Sequence, residues 1–353
     1  MQATHAYCTY FDSGYLSRGL TLIESLREHG DDSPVWVMAL DEATKRFLDE
    51  AAMPGVHTIT VGDIEAAEPG LAAVKAARSR MEYYFTCTPL LIRFVMNSYA
   101  GAATSVIYLD SDLYFFDDPQ LVLDAMGDGS VGIIEHKYSP ALARRLAKYG
   151  RFNVGWVGFA ADERGRACLD WWGASTIEWC FDVPENGKYA DQGYLDEFPQ
   201  KFDGVSILAP LGLNLAPWNT ARHALTMGGD HRVRVDGDPL VFFHFHGLAL
   251  AGKRYVTSQL VYGARLGRIL RHRVYEPYVR RLDHFSAIVA SSPLIPHTTV
   301  ATRGTGARGV LFRALKAVVR VVTIASGNAV SRTAPARPYT SSTQVSETDA
   351  IPM

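Results

Sequence analysis

Val106-Ile107-Tyr108-Leu109-Asp110-Ser111-Asp112-Leu113-Tyr114-Phe115-Phe116 is an apolar run cut once, by two aspartates one residue apart. The β-branched and aromatic residues up to Leu109 read as a buried strand that runs out at the edge of a sheet. Alternate residues of an extended chain point the same way, so Asp110 and Asp112 can meet one hard cation, with Ser111 between them. Mg²⁺ or Mn²⁺ held by one or two carboxylates keeps open positions for phosphate oxygens. The rival account is a turn in which both carboxylates cap backbone amides. The apolar strand before the triplet and Leu113–Phe116 after it favour the cation.

Upstream, the pattern alternates. Ala6–Phe11 reads as a strand, Asp12-Ser13-Gly14 as a turn, and Leu16, Leu20, Ile23 and Leu26 as one face of a helix. Strand Val35–Leu40, helix Glu42–Ala52, strand His57–Val61 and a helix from Pro89 to Tyr99 follow, then strand Ser105–Leu109. Downstream strands are expected at Val131–Ile134, Val154–Phe159, Val205–Leu208 and Leu240–Phe243, and helices at Glu163–Cys180 and Ser258–Leu270. Strands alternating with helices predict an α/β fold, its mixed, mostly parallel sheet flanked by helices and its sites at the carboxyl ends of the strands.

The chain has 353 residues, 48% of them hydrophobic, enough for one large domain and an appendage or for two modest domains. Its charge is unevenly spread. Residues 1–250 carry 20 Lys/Arg against 33 Asp/Glu, a balance of −13, and residues 251–353 carry 15 against 4, a balance of +11. Cys8, Cys87, Cys168 and Cys180 are scattered, which excludes a disulfide framework and a cysteine zinc site. No signal peptide and no run of about 18 apolar residues is evident, so a cytoplasmic location is expected. Arg308–Ile324 is a candidate basic amphipathic helix, with Arg313, Lys316 and Arg320 on one face and Leu311, Phe312, Leu315, Val318, Val319 and Val322 on the rest. It would give peripheral membrane contact through residues 308–324, on the inner face; a terminal helix docked on the catalytic domain with its cations exposed is the alternative. The expected organisation is a catalytic domain over 1–285, a basic helical region over 286–326, and a disordered tail over 327–353.

The aspartate triplet and its strand resemble the D-x-D element of GT-A glycosyltransferases, particularly the family-eight group that includes glycogenin and bacterial lipooligosaccharide galactosyltransferases. Four further segments agree in order. Phe152-Asn153-Val154-Gly155 resembles F-N-x-G, Ala190-Asp191-Gln192 resembles the D-Q element, Leu215-Ala216-Pro217-Trp218-Asn219 carries the W-N pair, and His244-Phe245-His246-Gly247 resembles H-F-x-G. The resemblance spans residue 6 to about 250.

It implies a Rossmann-like GT-A domain, Mn²⁺ or Mg²⁺, and a UDP-sugar donor. His244 would join Asp110 and Asp112 as metal ligand, with His246 as its nearest rival, and Gly247 would let the backbone approach the diphosphate. Asp12 would read the base, Tyr10 or Tyr15 would flank base or ribose, and Thr9 belongs to the same turn; a plain turn with core aromatics is the competing account. The family has a basic residue before the metal strand, placed here at Arg93, with Arg78 and Arg80 as alternatives. Glu82–Thr86 is either an entrance to the donor pocket or core, and core is favoured. Asp191 would accept from sugar hydroxyls, Gln192 would lie near the anomeric carbon, and Asn153 would hold sugar or acceptor. Helix capping is the alternative for Asp191. Where the family continues with Lys-Pro-Trp this chain has Leu248–Arg254, leaving Lys253 as the substitute.

The activity so implied is transfer of a hexose to a glycan, lipid-linked or other hydroxyl acceptor, with retention and without nucleic acid. A phosphatase of the Asp-nucleophile class would need Thr or Val two residues past its second Asp, near the first strand; Asp112 is followed by Leu113-Tyr114. A pyrophosphorylase would need a Gly-rich basic loop where Asp12 stands. A non-catalytic sugar-nucleotide-binding protein remains as the alternative.

Overall fold

The computed structural model describes residues 5–99, 102–296 and 317–332. Strand β1 (His5–Phe11) feeds α1 (Leu16–Glu28), β2 (Val35–Ala39) feeds α2 (Glu42–Ala51), and β3 (Val56–Thr60) feeds α3 (Val61–Ala67) and α4 (Pro69–Val74). The long α5 (Arg80–Ser98) leads to β4 (Ser105–Leu109), which stops at Asp110. After it come the short β5 (Leu113–Phe115), α6 (Gln120–Met126), β6 (Val131–Glu135), α7 (Arg144–Tyr149), β7 (Phe152–Ala160) and α8 (Glu163–Glu178). Helix α9 (Phe198–Lys201) and strand β8 (Val205–Ile207) complete the main sheet.

That sheet runs β3-β2-β1-β4-β7-β6-β8. Strands β1 to β4 are parallel; β7 is antiparallel to both β4 and β6. The expected α/β architecture is therefore the observed one. Its two faces bury separate clusters, because alternate residues of β1 divide between them: Ala6 and Cys8 pack with Val106, Leu90 and Trp172, while Tyr7 and Phe11 pack with Ile107, Leu20 and Phe115.

Beyond β8, β9 (Leu225–Met227), β10 (Val233–Val235) and β11 (Asp238–Pro239) form a small meander. Strand β12 (Phe242–His244) pairs antiparallel with β5, and β13 (Ala249–Ala251) forms a hairpin with β14 (Arg254–Val256). A six-residue π-helical turn, Leu270–Tyr275, runs into α10 (Glu276–Ser291), and β15 (Ala329–Ser331) adds to β14.

Several sequence expectations move. The helix placed at Pro89 begins at Arg80, because Ser79 and Glu82 form a capping box and Pro89 is carried inside the helix. No helix covers Ser258–Leu270: a 3₁₀ turn, Gln259–Tyr262, ends at Gly263 with φ +71°, a left-handed residue that stops a helix. The boundary at 285 falls inside α10, whose Arg281 pairs with Glu24 and Glu28 of α1. The tail expected from 327 includes β15, and Arg332 bonds Asp283 at 2.9 Å. Residues 333–353 lie outside the described residues, as do 308–316 of the expected basic helix. Its remainder is helical over 317–325, with Val318, Val319, Val321 and Val322 exposed. Among the described residues no helix is long and apolar enough to cross a membrane.

Candidate active site

Three strand termini meet at the carboxyl edge of β4. Strand β7, antiparallel to it, begins there, and the Asp110 amide donates to the Gly155 carbonyl at 2.9 Å. Strand β5 leaves the aspartate turn and pairs with β12 in a register that sets Leu113 opposite His244. The Phe245 amide then donates to the Asp112 carbonyl at 2.9 Å. Backbone pairing alone thus brings D-x-D, F-N-x-G and H-F-H-G to one point, though they are far apart in sequence.

The side chains follow. His244 Nε2 lies 3.0 Å from Asp112 and 3.6 Å from Asp110. One ligand atom each of Asp112, His244 and His246 falls within 4.8 Å of the others. The Tyr108 hydroxyl donates to Asp110 at 2.9 Å. Burial opposes charge on His244, but Asp112 and Asp110 outweigh it and raise its pKa. Burial also works against the Asp112 carboxylate, yet His244 and its hydrogen bond hold it down at about 2. Asp110 is raised, chiefly by burial. Burial lowers His246, and neighbouring His244 lowers it further.

Gly155 has a specific duty here. A Cβ at that position would meet Asn153 Oδ1 at 2.7 Å and the His244 ring at 2.8 Å. The glycine of F-N-x-G is thus the space the imidazole occupies. Asn153 accepts from the Gly155 amide and from Asn214, and donates to Gln192 Oε1 at 3.1 Å. Trp218 stands edge-on to His244 at 5.0 Å and to His246 at 5.5 Å. The Asn219 side chain staples its own loop, accepting from Ala216 and donating to His136 and Asn214 carbonyls.

These groups line a cleft of about 730 Å³. One end is walled by Tyr10, Asp12, Tyr15, Arg80 and Tyr84, and Asp110, Ser111 and Asp112 lie on the wall as well. Arg80 pairs with Asp12 at 3.2 Å and donates to the Tyr84 hydroxyl at 2.7 Å. Asp191, Gln192 and Asn153 line the cleft too. Burial lifts the Asp191 carboxyl to about 7, against the opposing hydrogen bond from Thr88.

Other predicted residues are placed elsewhere. Thr9 is buried on the face of β1 opposite Tyr10 and is absent from the cleft wall. Arg93 bonds Glu68 at 2.7 Å and Asp170 at 3.1 Å, away from the cleft, because its turn of α5 faces α4 and α8. Arg78 is likewise tied down, by the Ile177 and Cys180 carbonyls, which leaves Arg80 as the cation of this helix that lines the cleft. Gly247 takes φ +73° to turn the chain after β12, a Cβ there would meet Ser258 at 3.0 Å, and the residue is not on the cleft wall. Lys253 is exposed at the tip of the β13–β14 hairpin and off the wall. The Glu82–Thr86 segment divides by helix face: Tyr84 and Phe85 line the cleft, while Tyr83 and Thr86 are buried.

Sequence reasoning missed the far end of the cleft, made by His136, Tyr138, Arg145, Tyr149, Tyr189 and Tyr262. A signal existed: His136–Arg151 is rich in aromatics and cations and follows a strand that ends at the ligand edge. His136 is held neutral by burial, its pKa near 3, and stacks on Tyr138 with ring centroids 4.6 Å apart.

No family model matches the chain. An active-site mutant of the galactosyltransferase LgtC has a similar structure, with a TM-score of 0.50 and 16% identity over 82% of this chain and 97% of that chain. At that identity the likeness establishes the fold, a GT-A glycosyltransferase fold. In Bacillus subtilis (strain 168), the uncharacterized protein YfnD is 28% identical over 286 residues, 80% of this chain and 90% of its own length. A second protein of that bacterium, the uncharacterized protein YfnF, is 33% identical over 253 residues, covering 69% of this chain and 82% of that protein, and the chain belongs to the family of YfnF.

Proposed function

We propose that this chain is a metal-dependent glycosyltransferase of the family-eight type that moves a hexose from a UDP-sugar to a carbohydrate or lipid-linked hydroxyl, with retention. The observation that carries the reading is the convergence of Asp112, His244 and His246, with Asp110 alongside, on one wall of a cleft whose near end is aromatic and acidic. These donors fit a divalent cation. Their ligand atoms are mutually close, and His244 turns Nε2 toward both aspartates, 3.0 Å from Asp112 and 3.6 Å from Asp110. Mixed carboxylate and imidazole ligation suits Mn²⁺, with Mg²⁺ the harder alternative.

Bound there, the metal would offset the negative charge of the departing diphosphate. The chain's own groups do the rest. Asp12 accepts from the base and Tyr15 packs on the ribose. Asp191 exchanges hydrogen bonds with the sugar hydroxyls, and the Asn153–Gln192 pair holds the ring near the aspartates. Tyr108 orients Asp110. Asp191 and Asn153 are buried, which strengthens their contacts over the value in water.

The exposed valines of 317–325 support a peripheral membrane position. The direct test is UDP release from a panel of UDP-hexoses with Mn²⁺, with and without excess EDTA. Turnover unchanged by EDTA would reject the metal, and binding without any UDP release would make the chain a binding protein. Asp112→Asn should abolish Mn²⁺-dependent UDP binding while the circular dichroism spectrum stays the same.

A further inference from the structure

The far end of the cleft holds a cation that the transferase reading leaves unused. Arg145 of α7 lines the cleft, half-buried. Its guanidinium carbon lies 4.6 Å from the Tyr262 ring centre and 5.9 Å from that of Tyr149. Trp218 and Tyr262 stand 6.2 Å apart, and His246 is 6.1 Å from Tyr262, so the same aromatics border both Arg145 and the histidine pair. The charge of Arg145 is felt at His246.

Most cations near the site are engaged. Arg80 pairs with Asp12 and Arg18 donates to the Leu248 carbonyl at 2.8 Å, while Lys253 is exposed on a hairpin off the cleft wall. Among the described residues Arg145 makes no ion pair with a carboxylate. A planar guanidinium held by aromatic faces, hydrogen-bonded to Tyr262 and with no carboxylate partner, keeps further donors for an oxyanion such as phosphate or carboxylate.

We propose that Arg145, framed by Tyr149 and Tyr262, is an oxyanion-binding position on the cleft wall. The oxyanion is a phosphoryl or carboxylate group brought by the substrates: either the donor's diphosphate or an anionic substituent on the acceptor sugar. The placement rests on the transferase reading for what fills the rest of the cleft, but the charge argument is local to Arg145.

The test is titration calorimetry on the full chain and on Arg145→Ala and Arg145→Lys. One arm uses uridine, UMP and UDP with Mn²⁺. The other uses methyl glucuronide and glucose 6-phosphate against neutral methyl glucoside, with the chain alone. Loss of about tenfold or more in UDP affinity in the alanine variant, with uridine unaffected and lysine restoring part, supports the site and assigns it to the donor. Unchanged UDP affinity with a lost preference for the anionic sugars supports it and assigns it to the acceptor. Unchanged binding in both arms overturns the proposal, and so does an equal loss for neutral and anionic ligands. Failure of the wild-type chain to bind UDP would count against the transferase reading, and the sugar arm would still decide Arg145.

Discussion

Replacing Asp191 by asparagine removes a buried carboxyl while keeping its size and most of its hydrogen bonds. The residue is 5% exposed, and burial raises its pKa to about 7 from an unfolded value of 3.8. The folded chain therefore holds the Asp191 proton more tightly than the unfolded chain does. That preference stabilises the native state fully below about pH 4 and is lost as pH climbs towards about 7, where the native carboxyl finally ionises. A displacement of about three pH units at 1.36 kcal/mol each makes the ionised carboxyl destabilising by up to about 4 kcal/mol above neutrality. Asparagine carries no such dependence. In urea titrations with EDTA present, the stability of Asp191→Asn relative to wild type should rise between about pH 4 and pH 7 by at least 1–2 kcal/mol, and then level off. Titrating groups that do not feel Asp191 cancel in the difference, while Asp110, whose charge reaches Asp191, adds to the same pH dependence. The asparagine's own packing effect is a constant offset. A difference that stays flat across that range would show that Asp191 ionises like an exposed aspartate, and the account of its burial would fail. The same variant should lose transfer activity, giving a more stable and less active protein, as expected of a site that keeps a charge where folding alone would not.

Gly155→Ala should displace the His244 ring, destabilise the fold by about 1–3 kcal/mol, and weaken Mn²⁺ affinity measured by calorimetry. An unchanged Mn²⁺ affinity would show that the ring can yield without loss. Val318→Asp together with Val321→Asp should reduce co-sedimentation with anionic vesicles and leave UDP-sugar turnover intact. Equal co-sedimentation would reject membrane contact through this helix. These substitutions test it better than removal of 304–353, which would also strip β15 from its hairpin.

Burial is periodic along strands and helices, and that is why much of the fold could be read from the residues. The alternation around Tyr7, Cys8 and Phe11, the three-and-four spacing of Leu16, Leu20 and Ile23, and the stop at Asp110 each report a local environment. The D-x-D, F-N-x-G and H-F-H-G segments were legible through their resemblance to a known family, and each sits at a strand end. Tertiary structure alone decided what the ends meet. Whether His244 or His246 approaches the aspartates depends on β5 pairing with β12, and the outcome is that His244 meets both while His246 comes close to Asp112. Arg93 and Arg80 lie on one helix, and only the packing of α4 and α8 against it turns the first into a structural ion pair and leaves the second in the cleft. Lys253 has the right charge and the wrong hairpin. Arg145 came from a short helix with no periodic signal. Convergence of this kind is set by long-range backbone pairing and helix packing, neither of which leaves a mark on neighbouring residues in the chain.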